Sequence, residues 1–289
     1  PILDESETPP PAPSAADRLS WSAIFDYVAP TFGVGFMFLL LSIYILKFAT
    51  DVLGMSAAVM GMILLLGRGL DAFVDPIVGY LSDRTKSKMG RRRPWMLASM
   101  LPLGLTFVLI WAPPKDLDPV MVTVWMAVSV IVFYFATSVL IIPHTALGAE
   151  LTDNYHDRTR IFGGRHIGWI VGSFAAIGGL LALDRSSDSG VLTAILILWT
   201  VWRLRERPGF QGRGAEHPFR AFRDVWRNPH ARLLLLVFGI ESLGAATIGV
   251  LTPYVAQYVV KRGELAPAVI GVYMFASFAF VPVWLPLSR

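Results

Sequence analysis

The sequence has 289 residues, of which 54% are hydrophobic and 16% are charged. Soluble domains carry about 25% charged residues, so this composition predicts an integral membrane protein. No cysteine is present, which excludes disulfides, thiolate metal sites and cysteine nucleophiles. The net charge of +4 comes from basic residues between apolar stretches, and we attribute it to membrane topology rather than to a nucleic-acid partner.

Apolar stretches of about 20 residues dominate the chain, and each can cross ~30 Å of hydrocarbon as a helix. An acidic segment rich in Pro and Ala precedes them, and we expect residues 1–22 to form a disordered cytoplasmic tail. We place the membrane spans at roughly 28–50, 56–82, 94–112, 119–146, 161–183, 189–204, 233–260 and 267–287. The predicted fold class is therefore an all-α, polytopic membrane protein.

Lys and Arg cluster in the connections after the second, fourth and sixth spans and are scarce in the others. The positive-inside rule then places these connections and the N-terminus in the cytoplasm. In the connection 205–232, Phe219, Phe222 and Trp226 recur at helical spacing opposite several arginines. This pattern predicts an amphipathic helix at the inner membrane interface.

Three ionisable residues interrupt the second span, at Arg68, Asp71 and Asp75. At about 100° per residue they fall within about 60° of one another, so they share one helix face. Because charges are costly in hydrocarbon, this face should line a protein interior or a watery cavity, which indicates transport. Two carboxylates one turn apart favour a shared proton or a cation between them. The alternative is an Arg68–Asp71 salt bridge that only stabilises the helix.

The fourth span has a mildly polar face, formed by Tyr134, Ser138, Ile141 and Thr145. Side chains of this kind suit the wall of a cavity. They suit equally well the hydrogen bonds that join helices in a packed bundle, and the sequence leaves both roles open.

On the fifth span, Arg165 and Trp169 lie one turn apart. An indole can stack on the apolar face of a sugar while a guanidinium donates to its hydroxyl groups, so we expect a substrate platform here. The alternative for Arg165 is to extend to the cytoplasmic interface. For His144, His166 and Glu241, which also lie in spans, we expect structural hydrogen bonds rather than a proton relay.

A faint internal repeat links the second and eighth spans. When residues 75–82 are aligned with residues 281–288, Pro, Leu and Ser coincide, which makes three identities in eight positions. Both segments fall at the predicted cytoplasmic ends of their spans, where a six-plus-six repeat would place them.

A set of short motifs is spread over the first five spans. It comprises Thr50-Asp51-Val52-Leu53-Gly54-Met55-Ser56, Asp71-Ala72-Phe73-Val74-Asp75-Pro76-Ile77-Val78-Gly79, Ser82-Asp83-Arg84-Thr85, Gly90-Arg91-Arg92-Arg93-Pro94-Trp95, Ile142-Pro143, Ala149-Glu150-Leu151 and Asp157-Arg158-Thr159-Arg160 leading to Arg165. The set resembles the glycoside–pentoside–hexuronide:cation symporters of the major facilitator superfamily.

This resemblance covers roughly residues 20–289 and implies the major facilitator fold, with twelve helices in two bundles around a cavity. Residues 23–204 would form the N-terminal six-helix bundle, residues 205–232 the cytoplasmic linker, and residues 233–289 the first two helices of the C-terminal bundle. The chain also begins without methionine and ends with the eighth span. We therefore expect a fragment with about eight of the twelve helices.

The resemblance also implies roles for individual residues. Asp71 and Asp75 match the cation-site aspartates of the family, Ser138 matches a hydroxyl cation ligand, and Arg165 matches an arginine that helps to hold sugar. Val74 replaces an amide ligand for sodium, which favours proton coupling over sodium coupling. Sugar-binding side chains of the family are replaced at Gly35, Ile141 and Thr145. We expect the substrate to contact Tyr134, Thr145, Arg165 and Trp169.

The connection between the second and third spans resembles the superfamily's loop signature, at Gly79, Asp83, Arg84, Gly90 and Arg91. This implies a cytoplasmic gate or latch. We expect Asp83 to meet a basic group or a helix N-terminus across the bundle, and the arginines to meet carboxylates such as Glu150 or Asp153. Such pairs must break when the gate opens.

Together these features predict a secondary transporter of the plasma (inner) membrane that couples a proton or sodium to symport of a sugar or glycoside. We expect a monomer whose partners are the solute and the bilayer, with no cofactor beyond the coupling ion. One alternative keeps the fold and moves an amphiphile such as a lysolipid, because Val74 and Ile141 are apolar. An inactive or regulatory fragment is another. An intramembrane enzyme is disfavoured, because Asp71 and Asp75 share one helix and common hydrolase motifs are absent.

Overall fold

The computed structural model describes residues 19–182 without a gap, and beyond them residues 199, 200, 202, 203, 223, 226–229, 232, 233, 244, 247, 248, 251–262, 265, 268–273 and 275. The continuous part consists of five long helices and no strand: α1 Trp21–Lys47, α2 Ala57–Arg84, α3 Arg93–Trp111, α4 Pro119–Glu150 and α5 Tyr155–Ala182. By length and composition α1, with the π-helical turn that follows it, α2, α3 and α4 can each cross a membrane. The first five predicted spans are thus confirmed as helices. Most of the other three lies outside the described residues.

The helices extend beyond the apolar stretches from which they were predicted. α1 begins at Trp21 rather than near residue 28, so the last two residues of the expected tail are helical. α5 begins at Tyr155 rather than near residue 161. The side chain of Ser20 caps α1, because its Oγ accepts a hydrogen bond of 3.3 Å from the Ala23 amide, and Asp118 caps α4 in the same way. Caps of this kind satisfy backbone donors that hydropathy does not register.

Close helix packing builds the bundle around one large apolar core, beside which lies a second, smaller apolar cluster. α1 packs along α5, and α4 packs against both α2 and α3. Glycines let α1 and α5 approach, since a Cβ atom at Gly35 would collide with the backbone oxygen of Trp169, and one at Gly172 with that of Phe32. The largest fully buried side chains include Tyr27, Met37, Leu41, Met96, Phe107, Met126 and Phe133.

Two π-helical turns share one backbone pattern. The first, Phe48–Val52, follows α1, and the second, Val255–Val259, follows a helical segment at residues 251–254. In each, the amide of the next residue donates to the carbonyl of the first residue of the turn, over 3.2 Å from Leu53 and 3.0 Å from Val260. Residue 48 of the first turn thus corresponds to residue 255 of the second.

Both turns are closed by a residue in the left-handed region, Gly54 with φ 66° and Lys261 with φ 59°. The amide of the following residue then donates back to the second residue of the turn, over 2.8 Å from Met55 and 2.9 Å from Arg262. Glycine is the usual residue at such a cap. A lysine there costs roughly 1–2 kcal/mol of backbone strain.

Part of the predicted cytoplasmic linker is also described. Trp226 is helical and 60% exposed, whereas Phe219 and Phe222 lie outside the described residues. The amphipathic interfacial helix at residues 205–232 therefore stays a prediction.

Candidate functional site

The packing of α2 against α4 brings Asp71 to Ser138. At Gly67 a Cβ atom would lie 2.5 Å from Cδ2 of the Tyr134 ring, so the absence of a side chain lets the two helices approach. α2 and α4 run in the same direction because one membrane-crossing helix separates them in the chain. One turn further along both helices, Ser138 Oγ donates to Asp71 Oδ1 over 3.2 Å.

Asp75 lies one turn beyond Asp71 on α2, and both side chains are half-buried. Oδ1 of Asp75 is buried and accepts no hydrogen bond from the described residues. A buried carboxylate oxygen without a donor is costly unless a proton or a cation supplies the missing interaction. The structure thus brings together two of the three predicted cation-coupling residues, Asp71 and Ser138, with Asp75 alongside them.

Arg68 does not form the alternative salt bridge. No Arg68–Asp71 ion pair is found within the described part of the chain. Instead the guanidinium carbon lies 5.6 Å from the centre of the Phe38 ring and 5.2 Å from that of Tyr134. At these distances the rings attract the cation through their π faces. Arg68 is therefore held one turn from the acidic pair without neutralising it by contact.

A cleft lies between α1, α4 and α5. It is lined by Pro30, Thr31, Val34, Leu140, Ile141, His144, Arg165 and Trp169. Arg165 and Trp169 thus line the same cleft. No carboxylate among the described residues pairs with Arg165.

Two of the four expected substrate contacts do not line this cleft. Tyr134 is 6% exposed, packs against Gly67 and sits beside Phe38, with ring centres 6.2 Å apart. The Thr145 hydroxyl donates to the carbonyl of Ile141 on its own helix over 2.7 Å. The fourth-span face is thus divided, since Tyr134 and Ser138 meet α2 whereas Ile141 borders the cleft.

Other positions that the sequence analysis named can be compared with the structure. A side chain at position 35 would collide with α5, so Gly35 is a packing residue and an acidic side chain would not fit here. His144 Nε2 donates to the Tyr27 carbonyl over 2.8 Å, and its ring stacks on that of Tyr27 at 4.2 Å. This is the structural hydrogen bond that we expected. His166 is exposed, and Glu241 lies outside the described residues.

Four charged residues near the C-terminal end of α2 form one cluster, which we call the charge cluster: Asp83, Arg91, Arg92 and Glu150. Glu150 Oε1 accepts from Arg91 over 2.6 Å and from Arg92 over 3.1 Å. Arg92 also pairs with Asp83 and donates to Ser82 Oγ over 2.8 Å. The cluster ties the α2–α3 connection to the end of α4.

This arrangement bears on the latch prediction. Asp83 pairs with Arg92 of its own connection, and a partner for Asp83 across the bundle stays a prediction because most of the second half of the chain lies outside the described residues. Arg84 lies outside the cluster, with its guanidinium carbon 4.4 Å from the centre of the Tyr80 ring. Gly90 has φ 100° and supplies the turn that returns the arginines to α2. Gly79 faces α4, because a Cβ atom placed on it would lie 3.6 Å from Ile142 Cγ2, at van der Waals distance.

Asp26 was missed by the sequence reasoning. It is 6% exposed on α1, and its carboxylate accepts from Trp199 Nε1 over 3.0 Å and from Arg203 Nε over 3.2 Å. The predicted first span began two residues later, so Asp26 lay between the expected tail and that span and was given no role. Asp157, 1% exposed, likewise joins the starts of α1 and α5 by accepting from the Leu19 amide over 2.9 Å.

Comparison with known proteins shows the family of this chain. The family described as "MFS/sugar transport protein" matches residues 26–289. The uncharacterized symporter sll1374 of Synechocystis is 34% identical over 67% of this chain and 39% of its own length. The inner membrane symporter YicJ of Escherichia coli is 34% identical over 85% of this chain and 56% of its own length. The isoprimeverose transporter of Lactiplantibacillus pentosus is 27% identical over 92% of this chain and 59% of its own length.

The chain therefore spans about half the length of the curated relatives that it matches. The family and these relatives are transporters, and their names indicate that the chain belongs with transporters and not with enzymes. The motifs quoted above, the helical bundle and these matches agree. The chain belongs to the MFS/sugar transport family, in the group of glycoside–pentoside–hexuronide:cation symporters.

Proposed function

We propose that the full-length protein is a secondary active transporter that carries a sugar or glycoside together with a proton or sodium. The observation that carries this proposal is the acidic pair: Ser138 of α4 donates to Asp71 of α2, and the neighbouring Asp75 has a buried carboxylate oxygen with no described donor. A carboxylate pair of this kind favours binding of a small cation, because two negative charges at low dielectric repel each other until a proton or a metal ion neutralises one of them.

The substrate class rests on the cleft and on the relatives. Arg165 and Trp169 provide a guanidinium and an indole on one wall, which suits hydroxyl groups and an apolar ring face. Relatives include an isoprimeverose transporter and a putative glycoside/cation symporter, YagG of Escherichia coli. Both names point to saccharides and support a saccharide here.

Coupling follows from the position of the two sites around α4. The acidic pair contacts one side of α4 through Ser138, and Ile141 of the cleft follows within one turn. Cation binding that fixes α2 against α4 also fixes this wall of the cleft, so each ligand should tighten the other. Alternating access then requires the empty and the doubly loaded carrier to reorient.

The membrane orientation is also part of the proposal. Basic residues in the α2–α3 and α4–α5 connections support a cytoplasmic N-terminus in the plasma (inner) membrane. The charge cluster then lies on the cytoplasmic side. It would act as a latch that stabilises the N-terminal bundle at its inner end.

Uptake by the full-length protein in proteoliposomes tests the proposal. A panel of radiolabelled sugars and glycosides is offered under an imposed proton gradient, a sodium gradient, or neither. We expect accumulation of at least one saccharide with one cation gradient. Asp75→Asn should abolish this accumulation but retain part of the exchange of labelled for unlabelled solute. If no saccharide accumulates under either gradient, symport is refuted; if Asp75→Asn accumulates normally, the cation site is wrong.

A second candidate is transport of an amphiphile such as a lysolipid. It is favoured by the apolar part of the cleft wall, which is formed by Pro30, Val34, Leu140 and Ile141. The same proteoliposomes decide between the two. Cation-driven movement of a fluorescent lysolipid, with no saccharide transported, would replace the first proposal by the second.

A further inference from the structure

The two π-helical turns lie at helix ends that meet each other. Thr50, inside the first turn, is 3.2 Å from Tyr254, which directly precedes the second, measured between their hydroxyl oxygens. The single Thr50 proton is directed at the Lys47 carbonyl, 3.2 Å away, or at Asp51 Oδ1, 2.9 Å away. These two competing acceptors favour Tyr254 as the donor in its contact with Thr50 Oγ1.

An apolar contact lies close to this hydrogen bond along α1. Ile43 of α1, Ile177 of α5 and Ile270 form one buried cluster, and they are 2%, 8% and 5% exposed. Ile270 belongs to the helical segment 268–273. In the same segment, a Cβ atom placed on Gly271 would lie 3.9 Å from Ile177 Cδ1, which is an ordinary contact distance. Three branched side chains thus exclude water where this segment meets the N-terminal bundle.

The backbone at both helix ends is fixed by the same set of hydrogen bonds. The amides of Leu53 and Val260 close the π turns, and left-handed residues terminate them. π-helical turns are rare and frequently occur at functional positions. Here they hold Thr50 and Tyr254 opposite each other on well-defined helix ends. If either end were frayed, the two hydroxyl groups could separate without any movement of the helices.

We propose that the Thr50–Tyr254 hydrogen bond and the isoleucine cluster form a latch, which we call the outer latch, between the N-terminal bundle and the segments that follow it. It closes the side on which α1 ends. The inference rests on the alternating access of the proposed function. With the N-terminus in the cytoplasm, as proposed there, the end of α1 and the latch lie outside the cell. One neutral hydrogen bond over three aliphatic side chains is weak enough to break in every transport cycle.

Cysteine accessibility tests the latch without any substrate. The 289 residues contain no cysteine. With any cysteine in the rest of the full-length protein replaced by serine, Ile141→Cys is a single reporter in the cleft wall. The full-length protein is placed in right-side-out vesicles, and a membrane-impermeant thiol reagent is added outside. Thr50→Val removes the acceptor and Tyr254→Phe removes the donor. Each should raise the labelling rate of the reporter roughly two- to ten-fold.

Matched controls separate the latch from a general loss of structure. Thr50→Ser keeps the acceptor and should label at the parent rate. Thr252→Val removes a hydroxyl that donates only to the Ile248 carbonyl of its own helix, over 2.6 Å, and should also label at the parent rate. The double variant Thr50→Val with Tyr254→Phe should label no faster than the single variants, because both remove one bond.

Three results would overturn the inference: unchanged labelling in both single variants, multiplicative effects in the double variant, or equal acceleration by Thr252→Val. The readout needs neither a solute nor a cation gradient. Failure of the uptake assay therefore leaves this measurement interpretable, and failure of the latch leaves cation-driven uptake untouched.

Discussion

Replacing Glu150 by glutamine should destabilise the N-terminal bundle strongly, because this carboxylate holds two buried arginines. Arg91 and Arg92 are only 4% and 5% exposed, and both donate to Oε1 of Glu150, over 2.6 and 3.1 Å. With Asp83 the charge cluster is neutral. Glutamine keeps the shape and one acceptor oxygen but leaves a net positive charge in a buried place.

The size of the effect follows from the bonds that change. At Glu150→Gln both arginines keep an acceptor oxygen but lose its negative charge, so two bonds to a charged acceptor, worth about 1.5–3 kcal/mol each, become weaker without being lost. We expect the free energy of unfolding to fall by about 2–3 kcal/mol, less than when a buried ion pair loses one partner entirely. Glu150→Ala, which removes the acceptor entirely, should approach the roughly 3–5 kcal/mol found when a buried ion pair loses one partner.

Thermal unfolding of the full-length protein in detergent, followed by tryptophan fluorescence, measures this loss. A bundle of this size should melt about 4–12 °C lower for Glu150→Gln. Lys86→Gln is the matched control, because Lys86 is exposed in the same connection and surface changes usually stay within about 0.5 kcal/mol. If Glu150→Gln melted with the wild type, or no lower than Lys86→Gln, the charge cluster would not stabilise the bundle.

Three further predictions concern positions where the geometry is tight or the charge is isolated. Gly67→Ala puts a methyl group against the Tyr134 ring and should lower the free energy of unfolding by about 1–3 kcal/mol. In the melting assay, adding Tyr134→Leu should restore part of this stability. An unchanged melting temperature in Gly67→Ala would mean that α2 and α4 are not in close contact at this point. Lys261→Gly relieves a left-handed lysine and should stabilise by up to about 1 kcal/mol, so an unchanged or lower melting temperature would argue against this backbone. Arg68→Gln removes a cation one turn from Asp71 and should tighten binding of the coupling ion roughly five-fold, about 1 kcal/mol. The cation dependence of uptake measures this change, and Arg68→Lys should stay near the wild type. Weaker binding in Arg68→Gln would show that Arg68 supports the site instead.

The helical framework could be predicted well, because it depends on local properties. Apolar stretches that are long enough to cross a bilayer marked α2, α3 and α4 almost to their ends. The errors lie where helices continue into polar sequence. α1 and α5 begin earlier than predicted because Asp26 and Asp157 are satisfied by partners far away in the chain. Hydropathy counts such residues as exposed, whereas tertiary hydrogen bonds make their burial favourable.

The candidate site could be predicted only in part, for a geometric reason. Helical spacing placed Tyr134, Ser138, Ile141 and Thr145 on one face, and this is correct as far as one helix is concerned. A face of α4 borders more than one neighbour, however, and spacing cannot say which residue meets which. The small Gly67 decides that Tyr134 and Ser138 meet α2. The role of a glycine as a point of close approach becomes visible only when both helices are in place.

The two π-helical turns bear on the internal repeat that the sequence indicated only faintly. Aligning residue 75 with residue 281 gave three identities in eight positions, and residues 276–289 lie outside the described part. The turns give an alignment of residue 48 with residue 255, which differs from the first by a single residue. Because this second match consists of backbone hydrogen bonds and a left-handed cap rather than of identical side chains, it is independent of the first. Glycine in one copy and lysine in the other further indicate that the backbone shape is what the two copies share. A repeat of this kind relates the two helix ends by the axis between the two halves of the fold, and Thr50 and Tyr254 meet at these two ends.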